Sequence, residues 1–337
     1  MLEDKHIEQI KSYLQVKPGE SVALIGDHTS AELVDRLHSL IDDTNDTVRL
    51  DLDSYKRPVA DVPEDLAQAV KGRDLCFYAL DKRSDAEVDE VHFRRALNDI
   101  VEDQGGRVGN ILAPRYDVIE SAFSADAQEL VALTQRIYDY MKGVSAVHVT
   151  SPSGTDMVFE FRKYNWVAST GFIKQGKTRN ITPCEVYTHP WDGNGVIAID
   201  GTYAPMLSNP QFRNTDTVSR MKETPLFFDV RGKRIKDIHC DDREIESFVA
   251  DIIDRYENAE IIGEYGQGTN IGMKKLMGHL GHDEKFPTVH VAPGRGYPKE
   301  TGAEYDCKIH HDGLILDAKV KEMDTGKTIL DKGQYFV

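Results

Sequence analysis

Two histidines and an aspartate stand side by side in the stretch CKIHHDGLIL, residues 307 to 316. The interleaved apolar and polar residues predict a β-strand here, and successive side chains on a strand point to opposite faces. His310 and Asp312 then share one face, whereas His311 points away from them. An imidazole and a carboxylate directed at one point can bind a divalent metal ion, although the same pattern also fits surface polar residues on an ordinary strand.

Three further segments carry acidic or imidazole side chains in the same part of the chain. Glu185 lies in TPCEVYTHP, Glu264 precedes a glycine turn in EIIGEYGQGTN, and His290 is flanked by valines in DEKFPTVHVAPGRGY. Oxygen and nitrogen ligands of this kind suit zinc, cobalt or manganese better than copper or an iron–sulfur cluster. Simpler interpretations exist for each segment, since Glu264 could form a salt bridge at a strand end and His290 could be a satisfied core histidine.

Composition and charge exclude several classes of protein. The formal net charge of −16 over 337 residues leaves no basic surface of the kind that nucleic acids or anionic membranes require. No apolar run approaches the length that crosses a bilayer, and the amino-terminal segment lacks the apolar core of a signal peptide. The cysteines form no CxxC pair, so neither a disulfide framework nor a thiolate zinc site is expected. We therefore expect a cytoplasmic protein whose partners include neither nucleic acid nor membrane.

The elements that must position these residues follow two patterns. Through residues 1–123, short apolar segments alternate with amphipathic helical stretches, which predicts an α/β domain with a parallel sheet and flanking helices. Only Gly26 lies at the first strand-to-helix turn, so the glycine-rich phosphate loop of dinucleotide-binding folds is absent. Residues 124–143 are predicted to form a connecting helix. Residues 144–337 contain β-like segments with few helices, which predicts an α+β domain with mostly antiparallel pairing. Since all four site segments lie in it, we expect it to be the metal-binding, catalytic domain.

The four site segments, in this order, resemble the aminopeptidase T family of dinuclear metallopeptidases. The matching strings are EVYT, EYGQGTN, DEKFPTVH and HHD, and the resemblance covers roughly residues 145 to 320. It implies that two divalent ions (zinc, cobalt or manganese) are bound by carboxylates and imidazoles, with one carboxylate bridging them. The metal ligands that it implies are Glu185, Glu264 as the bridge, His290, His310 and Asp312.

The same resemblance implies roles for the residues around these ligands. Tyr297 would donate a hydrogen bond to the developing oxyanion, and either Glu185 or the bridging hydroxide itself could take the proton. His311 stands on the opposite strand face, where a packing role is expected. His189 could line the pocket or serve only in packing or at the surface, and Arg295 could hold a substrate carboxylate or be an exposed turn residue.

The activity implied is release of an N-terminal residue from a small peptide or related amide, by a homodimer. The 2,5-dihydroxypyridine dioxygenases, which look like relatives of the same fold, offer an alternative with a single ferrous ion. His290, His310 and Asp312 could supply its two-histidine, one-carboxylate set. Presence of all the peptidase-type ligands favours the hydrolase. A non-catalytic relative, or a specialised one with a changed substrate, is the third alternative. Two zinc, cobalt or manganese ions would indicate hydrolysis, one ferrous ion ring cleavage, and no ion a binding role.

Overall fold

The computed structural model describes residues 2–81, 90–182, 184–208, 212 and 216–337. The chain divides into two compact units. The first unit comprises Met1–Glu129 and Gly171–Pro183, and the second comprises Leu130–Thr170 and Cys184–Val337. The second unit carries all the site residues named above.

The helices and strands of the described residues are numbered in chain order. The helices are α1 Asp4–Leu14, α2 Ala31–Ile41, α3 Glu64–Val70, α4 Val91–Glu102, α5 Tyr116–Ala122, α6 Ala127–Met141, α7 Ala204–Ser208, α8 Thr217–Glu223, α9 Arg243–Arg255, α10 Leu280–Asp283 and α11 Pro298–Thr301. The strands are β1 Ser21–Gly26, β2 Asp46–Asp51, β3 Leu75–Leu80, β4 Arg107–Leu112, β5 Ala146–Thr150, β6 Asp156–Glu160, β7 Val167–Ser169, β8 Thr178–Asn180, β9 Glu185–Thr188, β10 Asp192–Ile199, β11 Leu226–Arg231, β12 Arg234–His239, β13 Ile262–Gly268, β14 Val289–Pro293, β15 Gly313–Ile315, β16 Lys319–Glu322, β17 Thr328–Asp331 and β18 Gln334–Tyr335. Within the part of the chain that is described, none of the helices combines the length and apolar character needed to cross a membrane.

The first unit is built on a parallel sheet with the strand order β2-β1-β3-β4-β8. Every residue of β3 is buried, as expected of a central parallel strand that is covered on both faces. Helix α2 buries Leu33, Val34 and Leu37, which form the apolar stripe of an amphipathic helix. The predicted parallel sheet with helices is confirmed for this unit.

Residues 171–183 differ from the predicted domain boundary, which assigned all of 144–337 to the second domain. Their strand β8 instead pairs in parallel with β4 and forms the fifth strand of the first sheet. Gly109 on β4 leaves room for this segment, since a Cβ there would lie 2.7 Å from Leu14 Cδ2 and 2.8 Å from Ile173 Cδ1. The first unit is therefore completed by a part of the chain that the strand pattern had placed elsewhere.

The second unit contains two antiparallel sheets that share one core. The larger sheet has the order β12-β11-β10-β6-β5-β16-β17-β18, and the smaller one, here called the site sheet, has the order β15-β14-β13-β9-β7. Phe159 of the larger sheet meets Tyr265 of the site sheet with ring centroids 5.0 Å apart. Helix α9 buries Ile245, Val249 and Ile253. The predicted antiparallel pairing is confirmed, while the 307–316 strand is shorter than expected and includes only Gly313–Ile315.

Candidate metal centre

Strands β9, β13 and β14 direct three acidic or imidazole side chains to one face of the site sheet. Val186, Tyr265 and both valines beside His290 belong to the hydrophobic core. Because neighbouring side chains on a strand point to opposite faces, Glu185, Glu264 and His290 lie on the face turned away from that core. The alternation that buries the apolar residues therefore also gathers the polar ones.

A β-bulge sets the direction of Glu264. The register of β13 against β14 shifts between Ile262 and Glu264. Ile262 and Tyr265 can both contribute to the core because the extra residue at the bulge offsets the strand alternation. Glu264 is consequently buried on the site face instead of pointing into the core or toward solvent.

Gly266 provides the space in which His290 lies. The two residues are paired across β13 and β14. A Cβ added to Gly266 would lie 2.0 Å from His290 Nε2 and 2.5 Å from its Cε1, so the imidazole ring packs directly on the glycine. Any side chain at position 266 would therefore have to displace the histidine ring or the strand.

The two carboxylate oxygens of Glu264 face different histidines. Oε1 lies 3.1 Å from His290 Nε2, and Oε2 lies 3.8 Å from His310 Nε2. Glu185 Oε2 is 3.5 Å from His290 Nε2, and Asp312 Oδ2 is 3.2 Å from His310 Nε2. The five side chains form two groups, Glu185–Glu264–His290 and Glu264–His310–Asp312, in each of which the potential ligand atoms lie within 4.8 Å of one another. Glu264 belongs to both groups.

The hydrogen bond that His310 makes outside the cluster leaves its other ring nitrogen facing the centre of the cluster. His310 Nδ1 donates to the carbonyl oxygen of Arg295 at 2.9 Å, which leaves Nε2 facing the carboxylates. Asp312 Oδ1 and His290 Nδ1 are buried and have no hydrogen-bond partner within the described residues. A buried carboxylate oxygen normally has a partner, and a bound cation would supply one for Asp312. The nitrogen and oxygen donors and this unsatisfied oxygen fit a divalent ion.

The charged neighbours in the cluster shift the pKa values of its histidines and of Asp312. Burial disfavours the charged imidazole of His290, but the Glu264 and Glu185 carboxylates outweigh it and raise the pKa of His290 to about 9. The pKa of His310 rises to about 10, because Asp312 and Glu264 outweigh the effect of burial. Despite its own burial, Asp312 has a pKa lowered to about 2 by His310. The site therefore favours bound positive charge, which a proton or a metal ion can supply.

Two tyrosines stand beside the cluster. The ring centroid of Tyr297 lies 4.6 Å from that of His310 and 5.9 Å from that of Tyr187. Burial, followed by the charge of Glu264, raises the pKa of both phenols well above the ordinary value. Both hydroxyls therefore remain protonated at neutral pH and keep a hydrogen to donate.

Lys285 and Glu284 are site residues that the sequence did not reveal as such. Lys285 is buried, and its Nζ lies 2.5 Å from Glu185 Oε1 and 2.6 Å from Glu284 Oε1. Burial raises the pKa of the Glu284 carboxyl to about 7. Both residues belong to the string DEKFPTVH. Two oppositely charged residues in a polar segment are usually exposed, so the sequence does not indicate that Lys285 is buried.

The three residues with uncertain roles lie outside the ligand cluster. His189 Nδ1 donates to the Gly263 carbonyl at 2.8 Å, and its Nε2 accepts from Lys233 Nζ at 3.0 Å, so both ring nitrogens are engaged. His311 makes an edge contact with Tyr203 at a centroid distance of 6.5 Å, in keeping with a packing role. The Arg295 side chain pairs with Asp306 at 3.0 Å and is about half exposed. It is the carbonyl group of Arg295 that reaches the site.

Comparison with known proteins shows similarity in fold. No protein-family model matches the chain, and no curated protein matches its sequence. The structure of 2,5-dihydroxypyridine dioxygenase from Pseudomonas putida KT2440 is similar with a TM-score of 0.64 and 14% identity, covering 99% of this chain and 96% of that one. Wild-type AmpT from Thermus thermophilus is similar with a TM-score of 0.65 and 14% identity, covering 99% of this chain and 98% of that one. The chain thus shares its fold with both proteins over nearly its whole length.

Proposed function

We propose that this protein is a metal-dependent hydrolase that holds two divalent ions and releases the N-terminal residue of a small peptide or related amide. The observation that carries the proposal is the pair of ligand groups that share Glu264. The two oxygens of Glu264 face two different histidines, and each histidine has a second carboxylate beside it. A single ion would occupy only one of these two groups, whereas two ions would occupy both. The similarity in fold to AmpT and the motif resemblance to the aminopeptidase T family are consistent with this function.

The residues divide naturally between the two ions. Glu185 and His290 would hold one, His310 and Asp312 would hold the other, and Glu264 would contact both. When bound, a pair of zinc, cobalt or manganese ions activates water and polarises a carbonyl group. The burial of the cluster strengthens every charge interaction within it.

Side chains beside the ions have separate tasks in the proposed reaction. We assign Tyr297 the donation of a hydrogen bond to the oxyanion that develops on the scissile carbonyl, because its phenol stays protonated beside Glu264. The proton acceptor would be either Glu185 or the metal-bound hydroxide itself; because Oε1 of Glu185 is paired with Lys285, Glu185 could accept the proton only at Oε2, when that oxygen is released from the ion. Glutamate can then pass the proton to the leaving amine.

The proposal is tested by metal analysis and an amide-hydrolysis assay on the same preparation. Chelator-treated protein is dialysed against zinc, cobalt or manganese, and bound metal and turnover of fluorogenic aminoacyl amides are measured. We expect two ions per chain, hydrolysis with any activating metal, and loss of both after chelation. Protein that binds no divalent ion, or that binds two and hydrolyses no aminoacyl amide, contradicts the proposal.

A ring-cleaving dioxygenase is the second candidate, because the chain has the same fold as the 2,5-dihydroxypyridine dioxygenase. His290, His310 and Asp312 are the residues that would hold its single ferrous ion. Anaerobic loading with ferrous iron separates the two candidates. One tightly held, oxygen-sensitive iron with oxygen uptake on a dihydroxypyridine supports the dioxygenase, whereas two ions and amide hydrolysis support the peptidase.

We also propose that the protein is a homodimer, as the family resemblance implies. Light scattering coupled to gel filtration at micromolar concentration should give twice the chain mass of 37.9 kDa. A mass equal to that of one chain contradicts the dimer but leaves the metal centre untouched.

A further inference from the structure

Lys285 is an unusual neighbour for a metal ligand. Its side chain is only 5% exposed, and its Nζ lies 2.5 Å from Glu185 Oε1 and 2.6 Å from Glu284 Oε1. A buried ammonium is costly unless it is paired and hydrogen-bonded, and here two carboxylates serve that purpose. Removing the lysine would leave the buried Glu185 carboxylate and the partly buried Glu284 carboxylate without their shared partner.

The fold holds the lysine in this position through the backbone. Gly268 is paired with Glu185 across β13 and β9. A Cβ on Gly268 would lie 2.0 Å from the Phe286 carbonyl oxygen and 2.5 Å from the Lys285 carbonyl carbon, so this segment rests directly on the strand. The amide N–H of Asn270 donates to the Lys285 carbonyl at 2.9 Å. Lys285 is thereby fixed opposite the residue that it contacts.

We infer that Lys285 is a positioning residue that makes Glu185 a one-oxygen ligand. Its ammonium occupies Oε1 of Glu185, while Oε2 remains 3.5 Å from His290 Nε2, on the side of the shared Glu264. This inference rests on the proposed dinuclear site. It predicts that the ion held by Glu185, Glu264 and His290 depends on Lys285, whereas the ion held by Glu264, His310 and Asp312 does not.

A charge effect must be separated from positioning. Lys285→Met removes both. At a pH above the raised pKa of Glu284, Lys285→Met combined with Glu284→Gln removes one positive and one negative charge and leaves the net charge of the site unchanged. Lys285→Arg keeps a cation that can pair with Glu185. Lys319, which pairs with Asp331 at 2.6 Å elsewhere in the second unit, provides a matched control as Lys319→Met.

The measurement is zinc binding by chelator competition, with kcat and KM for an aminoacyl amide recorded in parallel. In Lys285→Met we expect one zinc ion of wild-type affinity and a second weakened by about 10- to 100-fold, the usual effect of losing a partner of a metal ligand. The charge-balanced double variant should remain weakened, and Lys285→Arg should recover most of the affinity. Lys319→Met should bind both ions as the wild type does. We expect kcat to fall with the loss of the second ion.

Two results overturn the inference. One is two zinc ions of wild-type affinity in Lys285→Met, and the other is full recovery in the charge-balanced double variant. Should Lys285→Met not fold, Lys285→Ser replaces it, because its short side chain cannot reach Glu185. Two zinc ions of wild-type affinity in that variant contradict positioning, and a weakened second ion supports it. Failure of the proposed function is seen in the wild type, which would then bind no zinc or hydrolyse no amide.

Discussion

At the scale of single residues, Glu264 connects the two halves of the candidate site. Its oxygens lie 3.1 Å from His290 Nε2 and 3.8 Å from His310 Nε2, and its side chain is almost fully buried. Burial raises the pKa of this carboxyl, which shows the cost of keeping its charge without a cation. The carboxylate is therefore better suited to holding positive charge between the histidines than to a contact with solvent.

Replacing Glu264 by glutamine should separate the two ions energetically. Two divalent ions repel each other. A neutral amide does not offset that repulsion, and it is a weaker ligand than a carboxylate for both ions. We expect Glu264→Gln to fold, to bind one ion or none, and to lose aminoacyl amide turnover by several orders of magnitude. Metal analysis and kinetics are compared with His311→Ala, which should keep both ions and lose mainly packing against Tyr203. The reverse pattern would mean that the bridge is assigned to the wrong residue.

A methyl group at Gly266 should disturb one half of the site. A Cβ there would lie 2.0 Å from His290 Nε2, so Gly266→Ala must displace the ring or the strand. We expect a loss of about 1–3 kcal/mol in the free energy of unfolding, together with weaker binding of one ion. Gly143→Ala is the control, since its Cβ would meet only the Tyr140 carbonyl oxygen, at 3.5 Å. Equal metal affinity in both variants would show that His290 is not a ligand.

Residue types drew attention to four segments of the sequence, and the resemblance to the aminopeptidase T family selected from them the side chains that meet in the cluster. An H-x-D pair, a valine-flanked histidine and acids at strand positions all have patterns that a sequence displays. Lys285 has no such pattern, because its contact with Glu185 joins residues 100 positions apart. The carbonyl of Arg295 that orients His310 has none either, since every residue carries that group.

At the scale of elements, alternation predicted which faces the side chains share, but not the length of the strand. His310 makes only an isolated bridge to Gly294, and regular pairing begins at Gly313. His310 and Asp312 nevertheless come together as the two-residue spacing implies. The bulge between Ile262 and Glu264 was not predictable, because it depends on register against β14.

Helix α1 should make the fold sensitive to mild acid through His6. The ring of His6 is fully buried, and neither of its nitrogens has a hydrogen-bond partner among the described residues. Burial, together with the charge of Lys5, lowers the pKa of His6 below its ordinary value. The unfolded chain therefore takes up a proton as the pH falls below about 6.5, while the folded chain resists it, and stability declines with falling pH.

The effect of His6 is measured by denaturant unfolding at pH 7.5 and 5.5. The wild type should lose up to about 1.4 kcal/mol more than His6→Phe between these pH values, because one pH unit below the unfolded-state pKa corresponds to that energy. An identical pH dependence in both proteins would show that His6 titrates normally in the fold.

At the scale of the whole molecule, both tryptophans, Trp166 and Trp191, belong to the unit that carries the candidate metal centre. Tryptophan fluorescence therefore reports the unfolding of the second unit. Metal that binds only the folded state stabilises it by about 2.7 kcal/mol when free metal is one hundred times the dissociation constant. Zinc should raise the fluorescence-detected unfolding temperature, and a chelator should reverse the change. The same zinc concentration should have a smaller effect on Glu264→Gln, which is expected to bind one ion or none.

The division into units was only partly predictable. Strand–helix alternation and antiparallel segments indicated two kinds of sheet, and both are present. Strand β8 was not predicted, because its sequence, Thr-Arg-Asn, has no apolar pattern. It forms the last strand of the parallel sheet. An edge strand of three polar residues is identified only by the neighbour to which its backbone is hydrogen-bonded.

During translation, strand β8 of the first unit is synthesised after residues 130–170 of the second unit. Until then the nascent first unit has β4 at its margin, with unpaired backbone groups along a mostly buried, apolar strand. Such an edge invites pairing with other chains. Between the synthesis of residue 112 and that of residue 180, β4 therefore lacks the strand that covers its edge in the finished fold.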